Sequence, residues 1–135
     1  MAEVIGTAEL AYLGDGVFEL MVREKLVRQG VPFRLLNRRA KDYVTAVAQS
    51  DMYHKIFDCL TDDEKAVLKR GRNLHSNSRS KSAGVSEYRH STGLETLFGH
   101  LYIKGEMTRL QEIFELCTTQ KELPCNKKKN QTIIN

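Results

Sequence analysis

Asp15 and Glu95 are acids set into apolar helix stripes, and two carboxylates so placed can hold a divalent cation. The stretch ELAYLGDGVFELMVREKLV (residues 9–27) reads as one helix, with Ala8, Ala11, Asp15, Phe18 and Val22 recurring along one face. A carboxylate in the middle of that face must be desolvated, at a cost of roughly several kcal/mol, unless a cation or hydrogen-bond donors compensate. The segment STGLETLFGHLYI (91–103) repeats the pattern, since Glu95 shares a stripe with Thr92, Phe98, Gly99 and Tyr102. Each acid alone also has a structural reading, as a carboxylate paired with a lysine or arginine or capping a neighbouring helix. Taken together they point to a shared cation. Magnesium, with manganese able to substitute, takes one or two carboxylates and leaves its other positions to water or substrate phosphate. Such an ion polarises a phosphodiester and lowers the pKa of a bound water.

The charge distribution names the class of partner. Between Lys65 and Arg89 lie seven cations (Lys65, Lys69, Arg70, Arg72, Arg79, Lys81 and Arg89) against the single acid Glu87. That window nets +6 within a chain total of +4, so the remainder nets −2. Positive charge confined to one segment is the footprint of a polyanion. Other chemistry is thin. His54, His75, His90 and His100 show no ligand spacing such as HxxxH, and there is no Gly-rich phosphate loop, nucleophile elbow or Cys–His pair.

The elements that must carry these residues are helices. At 135 residues the chain is one domain, large enough for a real core. Its 41% hydrophobic and 28% charged residues exclude wholesale disorder. Two prolines, no tryptophan and few β-branched runs favour an all-α fold. No apolar run reaches the roughly 18–20 residues that span a bilayer, so no membrane role is expected. The N-terminal MAEVIGTAEL lacks a basic region followed by a long apolar core. Cys59, Cys117 and Cys125 lack paired metal spacing and read as reduced thiols of a cytoplasmic protein.

The periodicity predicts a first helix over 7–29, closed by Gly30 with Pro32 beyond. A helical region over 33–60 follows, broken once near Lys41. Thr61 and Glu64 form a capping box opening a short helix through Arg70 that Gly71 ends. An exposed Ser-, Asn- and Arg-rich loop is expected over 73–87. Helices over 91–105 and 106–117 complete a catalytic domain spanning 1–122, followed by a polar, disordered tail over 123–135. Gly14, Gly16 and Gly99 cost about 1 kcal/mol each inside helices relative to alanine. Their positions beside, or four residues from, the two acids predict that the two helices approach closely there.

These residues resemble a known family. LAYLGDGVFE (10–19) resembles the signature helix of the ribonuclease III superfamily, and is nearest to its short form, Mini-ribonuclease III. LKRGRN (68–73) and YRHSTGLETLFGHLY (88–102) are similar to the other two motifs of that family, in order and at fitting distances. The resemblance covers residues 8–117. It implies an all-helical, dimeric, magnesium-dependent endoribonuclease that cuts double-stranded RNA, and, for the short form, one that trims precursors of large-subunit (23S) ribosomal RNA. Asp15 matches the catalytic aspartate and Glu95 the glutamate of the second acidic motif; both are expected to bind the metal.

Two departures from the longer enzymes stand out. Those carry a glutamate four residues before the aspartate and an aspartate three residues before the glutamate, where this chain has Ala11 and Thr92. Mini-ribonucleases III resemble this chain in lacking both acids, which leaves a two-carboxylate site in which water must do more of the coordination. No separate double-stranded-RNA-binding domain is expected beside this core. That assigns RNA binding to Lys69, Arg70, Arg72 and Asn73, because A-form RNA is recognised through phosphates, 2′-hydroxyls and shape. Lys127, Lys128 and Lys129 read as a solubilising run.

A homodimer is expected on the bottom-up reading as well. Leu10, Leu13, Val17, Leu20 and Met21 lie away from Asp15, and a helix apolar on so many sides needs a further partner. Two alternatives remain at this stage: a catalytically silent RNA-binding domain of the same fold with a structural role in a ribonucleoprotein, and a helical protein-interaction module. Keeping both acids speaks against the first, and the +6 segment against the second.

Overall fold

The computed structural model describes residues 4–74 and 84–125. Six α-helices follow one another: α1 (Thr7–Arg28), α2 (Leu36–Val44), α3 (Ala46–Ile56), α4 (Asp62–Arg72), α5 (Val85–Ile103) and α6 (Met107–Thr118). Short 3-10 turns at Phe33–Leu35 and Phe57–Cys59 precede α2 and follow α3, and among the described residues there is no strand.

The helix ends follow local chemistry. Gly30, at φ 77°, turns the chain out of α1, and the N–H groups of Gly30 and Val31 return to the carbonyls of Val27 and Leu26. The break between α2 and α3 falls at Thr45, not near Lys41. Thr45 is extended, and its Oγ1 accepts from the Ala48 N–H at 3.2 Å, which starts α3. The capping box of α4 forms as the sequence predicts. The Glu64 N–H donates to Thr61 Oγ1 at 3.1 Å, and the Thr61 N–H donates to Glu64 Oε1 at 2.9 Å.

Two further helix boundaries differ from expectation. Gly71 lies inside α4, which runs on to Arg72. α5 begins at Val85, after Gly84 at φ 102°, and so takes in six residues more than a start at 91. Of the basic loop, residues 75–83, with Arg79 and Lys81, lie outside the described residues, as does the lysine run at 127–129.

α5 is the central element. Leu94, Leu97, Phe98 and Leu101 are buried, and α1, α3, α4 and α6 all pack around it. Its buried polar residues turn inward to their own helix. Ser91 and Thr92 hydroxyls donate to the Tyr88 carbonyl at 2.8 and 2.9 Å, and Thr96 donates to Thr92 at 2.7 Å. Phe18, Phe98 and Phe114 join α1, α5 and α6 in edge-to-face contacts, with ring centroids 5.2–6.4 Å apart.

Two glycine-mediated crossings fix how the helices approach α5. A Cβ at Gly14 would overlap the carbonyl of Glu95, and one at Gly99 the carbonyl of Leu10. On the other side, a Cβ at Gly71 would strike the Thr96 hydroxyl, and one at Gly93 the Leu68 carbonyl. Gly71 therefore serves close approach, which is why it does not end α4. Gly16 meets nothing within 4 Å, so the close approach expected of it does not occur within the chain.

α6 is held to α4 by a bidentate ion pair. Arg109 Nε and Nη2 each lie 2.8 Å from a Glu64 oxygen, and Nη2 also reaches the Cys59 carbonyl at 3.2 Å. Beyond α6 the chain continues along the bundle with Leu123 buried. The Cys59 and Cys125 side chains meet, with Cα atoms 5.7 Å apart, a pairing that the sequence reading did not foresee. Spacing alone does not reveal that the segment after α6 returns to the end of α3. Cys117 is free and buried, and burial pushes its thiol up to about 12.

Candidate active site

The crossing of α1 and α5 sets the two acids side by side. Gly14 sits against the Glu95 carbonyl and Gly99 against Leu10, so the side chain that follows Gly14 emerges next to Glu95. Asp15 itself is exposed and Glu95 half-buried. The expectation that Asp15 occupies the middle of a desolvated stripe is therefore corrected. The buried stripe of α1 runs through Leu10, Ala11, Gly14, Val17, Phe18, Val22 and Leu26, and Asp15 stands on its shoulder. This placement suits an acid that meets both a neighbouring carboxylate and solvent.

The electrostatics of Glu95 are those of an uncompensated acid. Burial, the nearby Asp15 charge and a hydrogen bond shared with Asp15 push its carboxyl up to about 8; a hydrogen bond with Gln49 opposes this. Among the described residues no salt bridge reaches either acid. Gln49, from α3, is 2% exposed, and the sequence reading missed it. Its signal was available, because Gln49 shares a helical stripe with the buried Met52, Tyr53 and Ile56. It is a polar residue in an apolar face, the same anomaly that singled out Glu95.

Among the described residues no group of three or more His, Cys, Asp or Glu gathers, so the acidic pair stands as a pair. Ala11 and Thr92, at the positions where longer ribonucleases III carry acids, are both buried, and the Thr92 hydroxyl is committed to the Tyr88 carbonyl. Two carboxylates beside an amide are oxygen-rich donors suited to a hard divalent cation. A cation at this position would also relieve the repulsion that raises Glu95.

The Gly71–Gly93 crossing places the end of α4 beside the first half of α5. Lys69 and Arg70 are exposed there. Arg72 is half-buried: its Nη1 donates to Tyr53 Oη at 3.3 Å and its Nε to Asn73 Oδ1 at 3.2 Å. Lys65 and Lys69 hold their ammonium groups 5.1 and 5.5 Å from the Phe57 ring centroid. The structure also brings His54 and His90 together, with ring centroids 4.5 Å apart, although 36 positions separate them in sequence.

Comparison with known proteins agrees with this geometry. The ribonuclease III domain model matches residues 8–106, which takes in α1 through α5 and both acids. A Mini-ribonuclease 3 of Thermoanaerobacter sp. (strain X514) is 43% identical over 108 residues, covering 79% of this chain and 76% of that protein. The Mini-ribonuclease 3 of Symbiobacterium thermophilum is 44% identical over 107 residues, covering 78% and 82%. A crystal structure of a Fusobacterium nucleatum protein superimposes with a TM-score of 0.71 at 32% identity, covering 82% of this chain and 89% of that one. The family model and these relatives thus show an endoribonuclease of the ribonuclease III type. Within that class, the chain belongs to the Mini-ribonuclease III family.

Proposed function

We propose that this endoribonuclease cuts double-stranded RNA in a magnesium-dependent reaction, with Asp15 and Glu95 as the catalytic metal-binding pair. The observation that carries the reading is the meeting of those two acids across the Gly14–Gly99 crossing, with a carboxylate and an amide facing Glu95. The chemistry a magnesium ion supplies when bound there is Lewis acidity toward a phosphodiester. The chain's own contribution is to hold the pair. Gly14 and Gly99 set the separation of the helices, and Gln49 orients the Glu95 carboxylate by hydrogen bonding. Lys69, Arg70, Arg72 and Asn73 bind the RNA backbone electrostatically and take no part in bond cleavage.

The choice of precursors of large-subunit (23S) ribosomal RNA as substrate, in the cytoplasm, rests on the resemblance to the short form alone. No helix among the described residues is long and apolar enough to cross a membrane.

The homodimer reading is supported by an unpartnered apolar groove of about 320 Å³ formed by α1, the end of α5 and α6. Leu13, Gly16, Leu20, Met21, Tyr102 and Met107 line it, and Leu20 is 66% exposed. Val17 is buried at the floor of the groove, and Leu10, which the sequence assigned to the same face, lies in the core. Gly16, open to solvent within one chain, would allow a second backbone to approach. Sedimentation at micromolar concentration should show a dimer; a stable monomer contradicts this arrangement. The test of the activity is long duplex RNA incubated with and without magnesium. Cleavage only with the metal is expected, and binding without cleavage under both conditions would favour a silent RNA-binding domain.

A further inference from the structure

Away from the acids, Tyr53 and His54 of α3, Arg72 of α4 and His90 of α5 line a cavity of about 410 Å³, with Phe57 and Asp58 completing its wall. Three of these side chains are cationic or can become so. The His54 and His90 rings are 4.5 Å apart, His90 lies 4.5 Å from the Tyr53 ring, and Arg72 donates to Tyr53 Oη. His90 is oriented from behind: its Nδ1 lies 3.4 Å from both Ser50 Oγ and Ser86 Oγ. That leaves Nε2 as the ring nitrogen able to serve a ligand. We propose that this cavity seats one backbone phosphate of bound RNA, with Arg72, His54 and His90 as its donors, a site that rests on the duplex-RNA reading above.

The electrostatics agree with an anionic occupant. Burial, the facing His54 and Arg72 all hold His90 below its ordinary value, while the Ser86 contact and Glu87 act in the opposite sense. The charged groups around it are therefore His54 from α3, Arg72 from α4 and Glu87 from α5, with Asp58 at the cavity wall. A phosphate among two imidazoles and a guanidinium reverses the repulsion and favours the protonated rings. The cavity and the acidic pair draw residues from the same two helices, α3 and α5. On α3, Ser50 reaches His90 and its neighbour Gln49 reaches Glu95. On α5, His90 precedes Glu95 by five residues, or about 7.5 Å of helix.

The test measures duplex RNA binding in EDTA, which prevents metal-dependent cutting, from pH 8 to pH 6 at fixed ionic strength. The wild-type protein should bind about tenfold more tightly at pH 6 than the His54→Gln/His90→Gln protein, and the difference should shrink toward pH 8. Glu95 titrates in both proteins, so the difference between them isolates the histidines. Arg72→Gln should flatten the salt dependence by about one unit of log–log slope. Because His90 packs against Tyr53, imidazole NMR of the unaltered protein gives a second readout. Inorganic phosphate, and duplex RNA more strongly, should shift the His54 and His90 resonances.

Equal affinity and equal pH dependence in the double variant would overturn the site while leaving the ribonuclease reading intact. Rings that respond to zinc ions and not to phosphate would overturn it in favour of a metal site. Failure of the wild-type protein to bind any duplex would overturn the RNA reading and this site with it.

Discussion

Glu64 and Glu95 are both acids folded against the same helical bundle, and the bundle treats them in opposite ways. The Glu64 carboxylate accepts from Arg109 Nε and Nη2 and from the Thr61 N–H, and the Arg109 hydrogen bonds hold it below the usual carboxylate range. Glu95 faces Asp15 and Gln49, and burial beside a second acid pushes it up to about 8. The first arrangement is complete within the chain: every oxygen has a donor, and the pair ties α6 to α4. The second is incomplete, because two carboxylates are held close by a glycine crossing and, among the described residues, no cation pairs with either. A buried acid with its own counter-charge serves the fold, and one without it is set for something the chain does not supply.

The largest expected effect separates the two acids by activity. Glu95→Gln or Asp15→Asn should lower the cleavage rate at saturating RNA by about a thousandfold, the scale of several kcal/mol of lost transition-state stabilisation. Glu64→Gln should leave that rate within a few-fold of wild type. Equal losses in single-turnover assays would erase the distinction.

Gly14→Ala attacks the geometry that creates the pair. The added methyl overlaps the Glu95 carbonyl, so the helices must part, with an expected loss of roughly 1–3 kcal/mol in stability and a slower reaction. Gly16→Ala meets nothing within the chain and should leave monomer folding unaffected. Denaturant melts of the two variants check the contrast, and equal stabilities would mean that α1 and α5 are not held in contact at Gly14.

Stability should invert the activity ranking. Glu64→Gln loses charge-assisted hydrogen bonds and should cost about 2 kcal/mol near neutral pH. Glu64 has a depressed folded pKa, so its contribution is present above its unfolded value, near 4.5, and is lost as pH falls through the folded value. The deficit of the variant should therefore close in acid. Glu95 has the reverse sign. Its folded pKa is raised, so the metal-free protein loses stability as pH rises from near 4.5 to about 8, and Glu95→Gln should remove that loss. Thermal melts in EDTA at pH 5 and pH 8 decide it, and a Glu95→Gln protein less stable than wild type at pH 8 would contradict the assignment.

The smallest effect concerns the segment outside the comparison. Replacing Lys69, Arg70 and Arg72 with alanine should weaken duplex binding at moderate salt and reduce the log–log salt slope by about one unit per lost contact. Cleavage should slow mainly at subsaturating RNA, since the loss lies in uniform binding. An unchanged slope would reduce this segment to solvated surface.

Much of this was legible in the sequence, for identifiable reasons. α1 and the α4 capping box could be read because helix periodicity and cap chemistry are local. Asp15 and Glu95 stood out as polar residues in apolar registers, and the same rule would have found Gln49. What escaped was set by tertiary contact. Gly71 reads as a helix terminator until the Thr96 hydroxyl is seen against it. The α2–α3 break moved to Thr45 because a cap there outcompetes a simple run of helix formers. His54 and His90 carry no spacing signal, because α3 and α5 bring them together through the fold. The exposure of Asp15 was missed since a stripe drawn by periodicity does not show where its edge lies. Arg109 as the partner of Glu64, 45 residues away, was equally invisible.

The central claim, that Asp15 and Glu95 form a site completed by a divalent cation, is tested most directly by calorimetric titration of the protein with magnesium near pH 7, repeated in buffers of different ionisation enthalpy. A Glu95 carboxyl raised to about 8 is mostly protonated at that pH, so binding should release close to one proton. The release should fade above pH 8, and Glu95→Gln should abolish both binding and proton release, while Glu64→Gln leaves them unchanged. Magnesium binding that is indifferent to Glu95→Gln and Asp15→Asn, or no magnesium binding at millimolar concentration with or without RNA, would contradict it.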